Sequence, residues 1–372
     1  MCKNQEDVEE RNHQVLKMRQ IYEGAQKIVI WLGDWPYLND ERVGEAIVYL
    51  ANLDFDQAEL TTAIDDPASP LCRRETWESL EYMLHLSYWE RVWVIQEATT
   101  PEKSPTEVWC GRKVTLWSNL MKANRVLYEA MLRVSLQRFQ SIYSSRISEL
   151  SSWTSGRRDP GEYGPLKVME FLPAFRYRQA TDARDIIYAV LSISVDGQHE
   201  DLQPDYSLTV AAVYRNLAIH LISRDRTLGV LSFCNLGFLS KTPSWAPDWT
   251  KQQTPFSFEQ AASIGVTDPQ YRAGNQTKAN FRLSKDNRVL HLQGVLFDQV
   301  SHVAKAKTPS VHDIRQLIPE WAYLTVPGDA EYVAGGARFD ALQHCLCAHV
   351  ADDDGEYAFS TSWPILINKK GW

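Results

Sequence analysis

The sequence predicts an α/β protein with an incomplete parallel sheet, continued by a helical region and ended by a small mixed β part. Three observations carry this reading. A helical segment runs directly into IVIWL (28–32), a short β-branched run ended by Gly33, which is the pattern of a buried parallel strand. RVWVI (91–95) has the same strand-like composition, and EVWCG and KVTLW flank the turn pair Gly111-Arg112. After the loop SSWTSGRRDPGEYGP the pattern is helical as far as TPSWAPDW, and alternation returns beyond it. The divisions are 1–150 for the α/β core, 151–250 for the helical continuation and 251–372 for an irregular α+β C-terminal region.

Taken in order, Val8, Val15, Met18, Tyr22 and Ala25 recur at helical spacing, while Glu9, Glu10, Lys17 and Gln26 form the solvent side. A helix feeding a parallel strand is half of a βαβ unit. The strand that should precede the helix is absent or reduced to the residues around Cys2. Further helices are predicted over 41–53, 74–86 and 118–150. EVWCG and KVTLW read as a hairpin or as a strand leading to a helix. LKVMEFLPAFRYRQ and TDARDIIYAVLSIS read as two more helices, with Thr181 or Asp182 as cap and Asp185 in the first turn, where the helix dipole favours an anion. PDYSLTVAAVYRNLAIHLISR repeats that grammar, with Ser207 or Thr209 as cap and Val213, Leu217, Ile219 and Leu221 turned inward. FRLSKDNRVLHLQGVLFDQV alternates as a hairpin does.

Composition narrows the class. With 44% hydrophobic and 23% charged residues the chain is ordinary for a folded protein. A net charge of -8 without a long basic run argues against a nucleic-acid partner. No stretch approaches the roughly 20 apolar residues of a membrane helix, and no signal-peptide pattern opens the chain. Six scattered cysteines suit a reducing compartment rather than a disulfide scaffold. The expectation is a soluble, cytoplasmic or nuclear protein, and cytoplasmic is the reading adopted. The 13 Trp and 16 Tyr raise the question of sugar stacking, but most sit in apolar runs, where they serve as core.

Several chemical signatures are missing: GxGxxG, the Walker phosphate loop, HExxH and the GxSxG elbow. HCLCAH crowds His344, Cys345, Cys347 and His349 together, whereas zinc pairs are spaced wider and set apart, so no metal is assigned. Four clusters remain. NQEDVEERNHQ gathers Asn4, Gln5, Asp7, Glu10 and Gln14 at a helix start. WERVWVIQE sets Arg91, Trp93, Gln96 and Glu97 at the edge of the expected strand. ATDARDIIYA holds Asp182, Arg184 and Asp185, and SWAPDW holds Trp245, Asp248 and Trp249. Glu97 is the candidate of most interest, as a carboxylate beside aromatic and guanidinium groups that suits a ribose hydroxyl or acid–base work. The plainer alternatives are a partner for Arg91 or a charge at a helix N-terminus.

These clusters together resemble the fungal heterokaryon incompatibility (HET) domain family. The matching stretches are CKNQEDVEERNHQVLKMRQIYEGAQKIVIWLGD, YWERVWVIQEA, RQATDARDIIYAVLSI, PDYSLTVAAVYRNLA and PSWAPDW, in the family's order. The resemblance implies a TIR- or flavodoxin-like α/β core and signalling that ends in cell death during non-self recognition. Some TIR domains cleave NAD through a glutamate, which by analogy of fold implies NAD as a possible substrate, with no cofactor, and Glu97 as the catalytic acid. It further implies Asn4, Gln5, Asp7, Arg91, Trp93 and Gln96 as ligand-binding candidates, and Asp182, Arg184, Asp185, Trp245, Asp248 and Trp249 as structural motif. Partners are expected to be further copies of the chain or other signalling proteins, with neither nucleic acid nor membrane. The family's two upstream strands have no counterpart here, and Lys3 stands where an apolar residue is usual. Met1 is therefore expected to lie inside the domain, with function impaired or rescued by a neighbouring segment or chain. The alternatives are a non-catalytic self-association module and a metabolic enzyme reusing the scaffold.

Overall fold

In the first helix, α1 (Val8–Glu23), the Asp7 side chain caps the start by accepting from the Glu10 N–H at 3.0 Å, and Glu9 and Glu10 lie in the first turn. It ends at Gly24, whose N–H bonds the Gln20 carbonyl at 2.9 Å. The computed structural model describes residues 7–33, 40–53, 62–99, 105–133, 150, 167–175, 177–234, 242–250 and 277–296. Val15 is buried and Met18 and Tyr22 are half-buried, while Val8 stays exposed, so the expected stripe is short at its N-terminal end.

The chain then enters β1 (Ile28–Trp31), which pairs in parallel with β2 (Thr106–Cys110), Ile28 opposite Thr106 and Trp31 opposite Trp109. β2 turns back through Gly111-Arg112 into β3 (Lys113–Leu116), its antiparallel neighbour. The sheet order is β1-β2-β3. Gly33 and Gly111 both have positive φ, 101° and 57°, and the Gly111 N–H bonds the Gly33 carbonyl at 2.9 Å. Only glycine takes these conformations without strain, so the pair ties off the two strand ends.

One face of this sheet is a core. Helix α2 (Asp40–Asn52) contributes Val43, Ala46, Ile47 and Leu50, and α5 (Trp117–Arg133) contributes Leu120, Ala123 and Leu127. Ile28, Ile30 and Val108 meet them from the sheet. Helix α3 (Arg74–Leu84) adds Trp77, Leu80, Met83 and Leu84. Each such side chain contributes roughly 1.5–3 kcal/mol by leaving water. The hairpin reading of EVWCG and KVTLW and the strand-then-helix reading are both realised, because β3 runs straight into α5.

Three expectations are corrected. IVIWL is a parallel strand, but only one of its faces is buried: Val29 and Trp31 are 48% and 60% exposed. No described element covers that side. RVWVI is not a strand. Residues Ser87–Glu90 form a 3-10 turn, Arg91 makes one isolated parallel bridge to Gln179, and α4 (Val94–Thr99) is helical. Trp89, Val92, Val94, Ile95 and Ala98 are all buried, and burial around a tight turn overrides their β propensity. Third, neither Thr181 nor Asp182 caps a helix N-terminus. Helix α7 (Asp185–Leu191) begins after Arg184 with no side-chain cap, and Asp182 accepts instead from the Arg184 N–H at 3.0 Å.

Two further helices are α6 (Val168–Phe175), which precedes α7, and α8 (Val210–Asp225). Thr209 caps α8 by accepting from the Ala212 N–H at 3.2 Å, as expected. Val213, Leu217 and Leu221 face inward, while Ile222 rather than Ile219 completes the buried side. The chain divides into two compact units, Met1–Pro255 with Lys285–Val289 and Phe256–Ser284 with Leu290–Trp372. In the second, β4 (Phe281–Leu283) pairs antiparallel with β5 (Leu290–Leu292), the hairpin expected from alternation.

Candidate functional site

Four separated stretches close on one charged cluster. Arg11 projects from α1, four residues before Val15 on the inward stripe, and its guanidinium lies 2.9 Å from Asp182 and 3.6 Å from Asp185. The same guanidinium covers the Tyr206 ring at 3.5 Å from the centroid. Asp185 accepts from the Tyr206 hydroxyl and from the Trp93 indole, the latter at 3.1 Å. Asn12 accepts the Tyr206 N–H at 2.8 Å.

Arg184 completes this clasp. Its guanidinium donates to both oxygens of Asp182 at 2.9 and 2.8 Å and to the carbonyls of Tyr206 and Leu208 at 2.5 and 2.7 Å. The Tyr188 hydroxyl donates to the Asp205 carbonyl at 2.9 Å, and the Tyr214 hydroxyl donates to the Ala183 carbonyl at 2.8 Å. Charge-assisted forks of this kind fix geometry as well as adding energy.

The two acids respond differently. Burial alone would raise the Asp182 carboxyl, but the Arg184 hydrogen bonds and charge, with Arg11, bring it down to about 2. Burial dominates at Asp185 and raises its carboxyl above the usual range, against the Tyr206 and Trp93 donors. Burial also pushes the Tyr188 hydroxyl up to about 12, and raises Tyr206, with the Asp185 charge second.

Glu97 lies on α4 rather than at a strand end. Its carboxylate accepts from the Tyr88 hydroxyl at 2.7 Å, lies 3.8 Å from the Arg91 guanidinium and receives a second tyrosine, Tyr22, from α1. Burial, then the Glu97 charge, raises both phenols well above the ordinary tyrosine range. The Glu97 side chain is 16% exposed and Arg91 56%, so the acid is sheltered while its cation is in solvent. Such a group is shaped to stabilise positive charge brought to it.

The other sequence candidates scatter. Asn4 and Gln5 lie outside the described residues. Asp7 is the cap of α1, Glu10 sits in its first turn, and Gln14 is half-buried. Gln96 is fully buried, and neither polar atom of its amide meets a hydrogen-bond partner among the described residues. Trp93 and Asp185 meet directly. Trp245 donates to the Arg288 carbonyl at 3.0 Å. Asp248 and Trp249 are buried, with Trp249 against Phe233 and Asp248 accepting from the Thr250 N–H at 3.1 Å. The Asp248 charge also bears on Tyr214. Sequence reading missed Arg11, Asn12, Tyr22, Tyr88 and Tyr206. The signal for Arg11 was present: a basic residue continuing the apolar stripe Val15–Met18–Tyr22 needs an acid on the facing element. HCLCAH lies outside the described residues, and among these no group of three potential ligands could hold a metal.

An α/β domain whose first helix is clasped to a distant Asp-x-Arg-Asp helix start is the class that this geometry defines. The family model described as "Heterokaryon incompatibility protein (HET)" matches residues 1–97, a span that ends on Glu97. Over these residues the chain is similar to the HET family. A relative, "Heterokaryon incompatibility protein 6, OR allele" of Neurospora crassa, is 25% identical over 326 residues, which cover 72% of this chain and 47% of that protein. The chain thus spans about half the length of the curated relative it matches. No solved structure matches the chain significantly.

Proposed function

We propose that this protein is a signalling module of fungal non-self recognition whose output is control of cell death, acting in the cytoplasm through a core of the TIR- or flavodoxin-like kind. The observation that carries the reading is the clasp. Arg11 and Asn12, Trp93, Asp182–Asp185 and Asp205–Tyr206 come from four of the stretches on which the family resemblance rests, and they meet in one place. The family match and the Neurospora relative support the same direction. Among the described residues no helix is long and apolar enough to cross a membrane. Induced expression of the full chain in a filamentous fungus should lower viability, and the Arg11→Ala variant at equal abundance should not. Undiminished growth with abundant wild-type protein overturns the reading.

Any cleavage of NAD by this chain we assign to Glu97. Breaking the nicotinamide–ribose bond develops positive charge on the sugar, and a sheltered carboxylate held by two phenols is suited to meet it. Purified protein incubated with NAD should release nicotinamide, and Glu97→Gln should abolish the release. Release that survives the substitution removes Glu97 from the reaction.

A further inference from the structure

The outer face of the β1-β2-β3 sheet carries apolar side chains in two rows set by the strand register. Trp31, Trp109 and Val114 form one row, and Val29, Glu107 and Leu116 form the other. Trp31 is 60% exposed, Val29 and Val114 are each 48%, Leu116 is 46% and Trp109 is 37%. Positions Ile28, Ile30, Val108 and Cys110, which alternate with them, are buried on the inner face. Five of the six outer positions, all but Glu107, are therefore apolar where an antiparallel or edge surface facing water is expected to be polar.

Together the five apolar residues leave roughly 500 Å² in water, at the upper end of what a monomer tolerates in one patch. The face has one acid, and it is compensated in place: Glu107 is bonded by Lys27 and by the Trp109 indole, each at 2.9 Å. A chain of net charge -8 thus presents one surface that is locally neutral. This removes the repulsion that two copies of an acidic protein would otherwise meet.

We propose that this face is a homodimer interface, covered by the same face of a second copy. Two such faces would remove about 1,000 Å² from water, the lower bound for a biological contact and the size of a weak, reversible dimer. Sheets stack face to face at about 10 Å with their side chains interleaved. A two-fold axis across the strands, midway between the rows, lays the tryptophan row of one copy over the aliphatic row of the other. Bulky residues then meet smaller ones, and Glu107 lies opposite an indole rather than a second carboxylate. The contact is isologous and closes at two copies. The surface is argued independently of the signalling reading, and its test needs no cell-death assay.

Sedimentation equilibrium of the full chain over a hundredfold concentration range should give a monomer–dimer equilibrium. The double variant Trp31→Lys with Val114→Lys, at two exposed positions, should weaken the dimer at least tenfold, with a thermal midpoint unchanged at a concentration low enough for both proteins to be monomeric. Val295 and Leu296, 93% and 85% exposed, are the control: Val295→Lys with Leu296→Lys should leave the dimer intact. A wild-type chain that stays monomeric overturns the proposal, including the case in which slow tryptophan quenching shows that another segment of the chain covers the face. A dimer that survives the first pair of substitutions, or is lost with the second, overturns it too.

Discussion

Glu97 and Asp185 are both acids on short helices, both are sheltered, and both accept a tyrosine hydroxyl, yet their counter-ions are held differently. Asp185 takes its donors from three elements: Trp93, Tyr206 and, at 3.6 Å, Arg11, whose own side chain is only 17% exposed. Glu97 has its cation at 3.8 Å on a side chain that is 56% in solvent. The first acid is locked into a clasp between α1 and α7. The second is paired only loosely, with a cation that stands in solvent. Burial alone therefore does not distinguish the two acids; the exposure of the counter-ion does.

The strongest way to break the comparison is to remove the clasp's cation. Arg11→Ala leaves Asp182 with Arg184 alone and Asp185 without its cation, in surroundings where an unpaired charge is costly. The expected loss is about 3 kcal/mol, read from urea unfolding midpoints, with faster amide exchange along α1. A loss below about 1 kcal/mol would mean that α1 is held by its apolar stripe and that the clasp is incidental.

A smaller effect separates the two clasp acids. The Asp182 carboxyl lies near 2, below the usual carboxylate value, so its contribution is complete above that usual value and disappears as pH falls towards 2. Asp182→Asn should therefore cost on the order of 1–2 kcal/mol at neutral pH, and the difference from wild type should vanish in acid. Asp185 is raised, so its contribution is complete at low pH and is lost as pH rises through its raised value. Asp185→Asn should show the opposite slope, faring better relative to wild type as pH increases. Unfolding midpoints from pH 2 to neutrality check both signs, and parallel profiles would refute the assignment of roles.

Much of the scaffold was legible because it rests on local rules. The Thr209 cap, the Gly111-Arg112 turn, the IVIWL strand and the late hairpin each follow from a few adjacent residues. RVWVI was misread because its β-branched residues serve a buried turn whose partner, Gln179, lies far along the chain. No local pattern carries that information. The site was legible in part for the same reason. Asp182, Arg184, Asp185 and Trp93 stand out as clustered polar or aromatic residues, but Tyr206 and Tyr88 look like ordinary core aromatics until the fold sets them against carboxylates. Arg11 was readable only as a break in an apolar stripe.

The smallest expected effect sharpens the comparison most. Glu97→Gln keeps the size of the side chain and an oxygen that accepts from Tyr88, and it gives up only the pairing with an exposed Arg91 at 3.8 Å. Pairs of that kind are worth about 0–1 kcal/mol. Both tyrosines are protonated at neutral pH with or without that charge, so their titration adds nothing to the difference. A shift under about 1 kcal/mol in urea, together with loss of nicotinamide release, would place Glu97 on the chemical side of the divide. A destabilisation equal to that of Arg11→Ala would make Glu97 a second clasp. Tyr22 would then be its counterpart to Arg11, and both ends of α1 would be anchored by buried carboxylates with neither left free for a ligand.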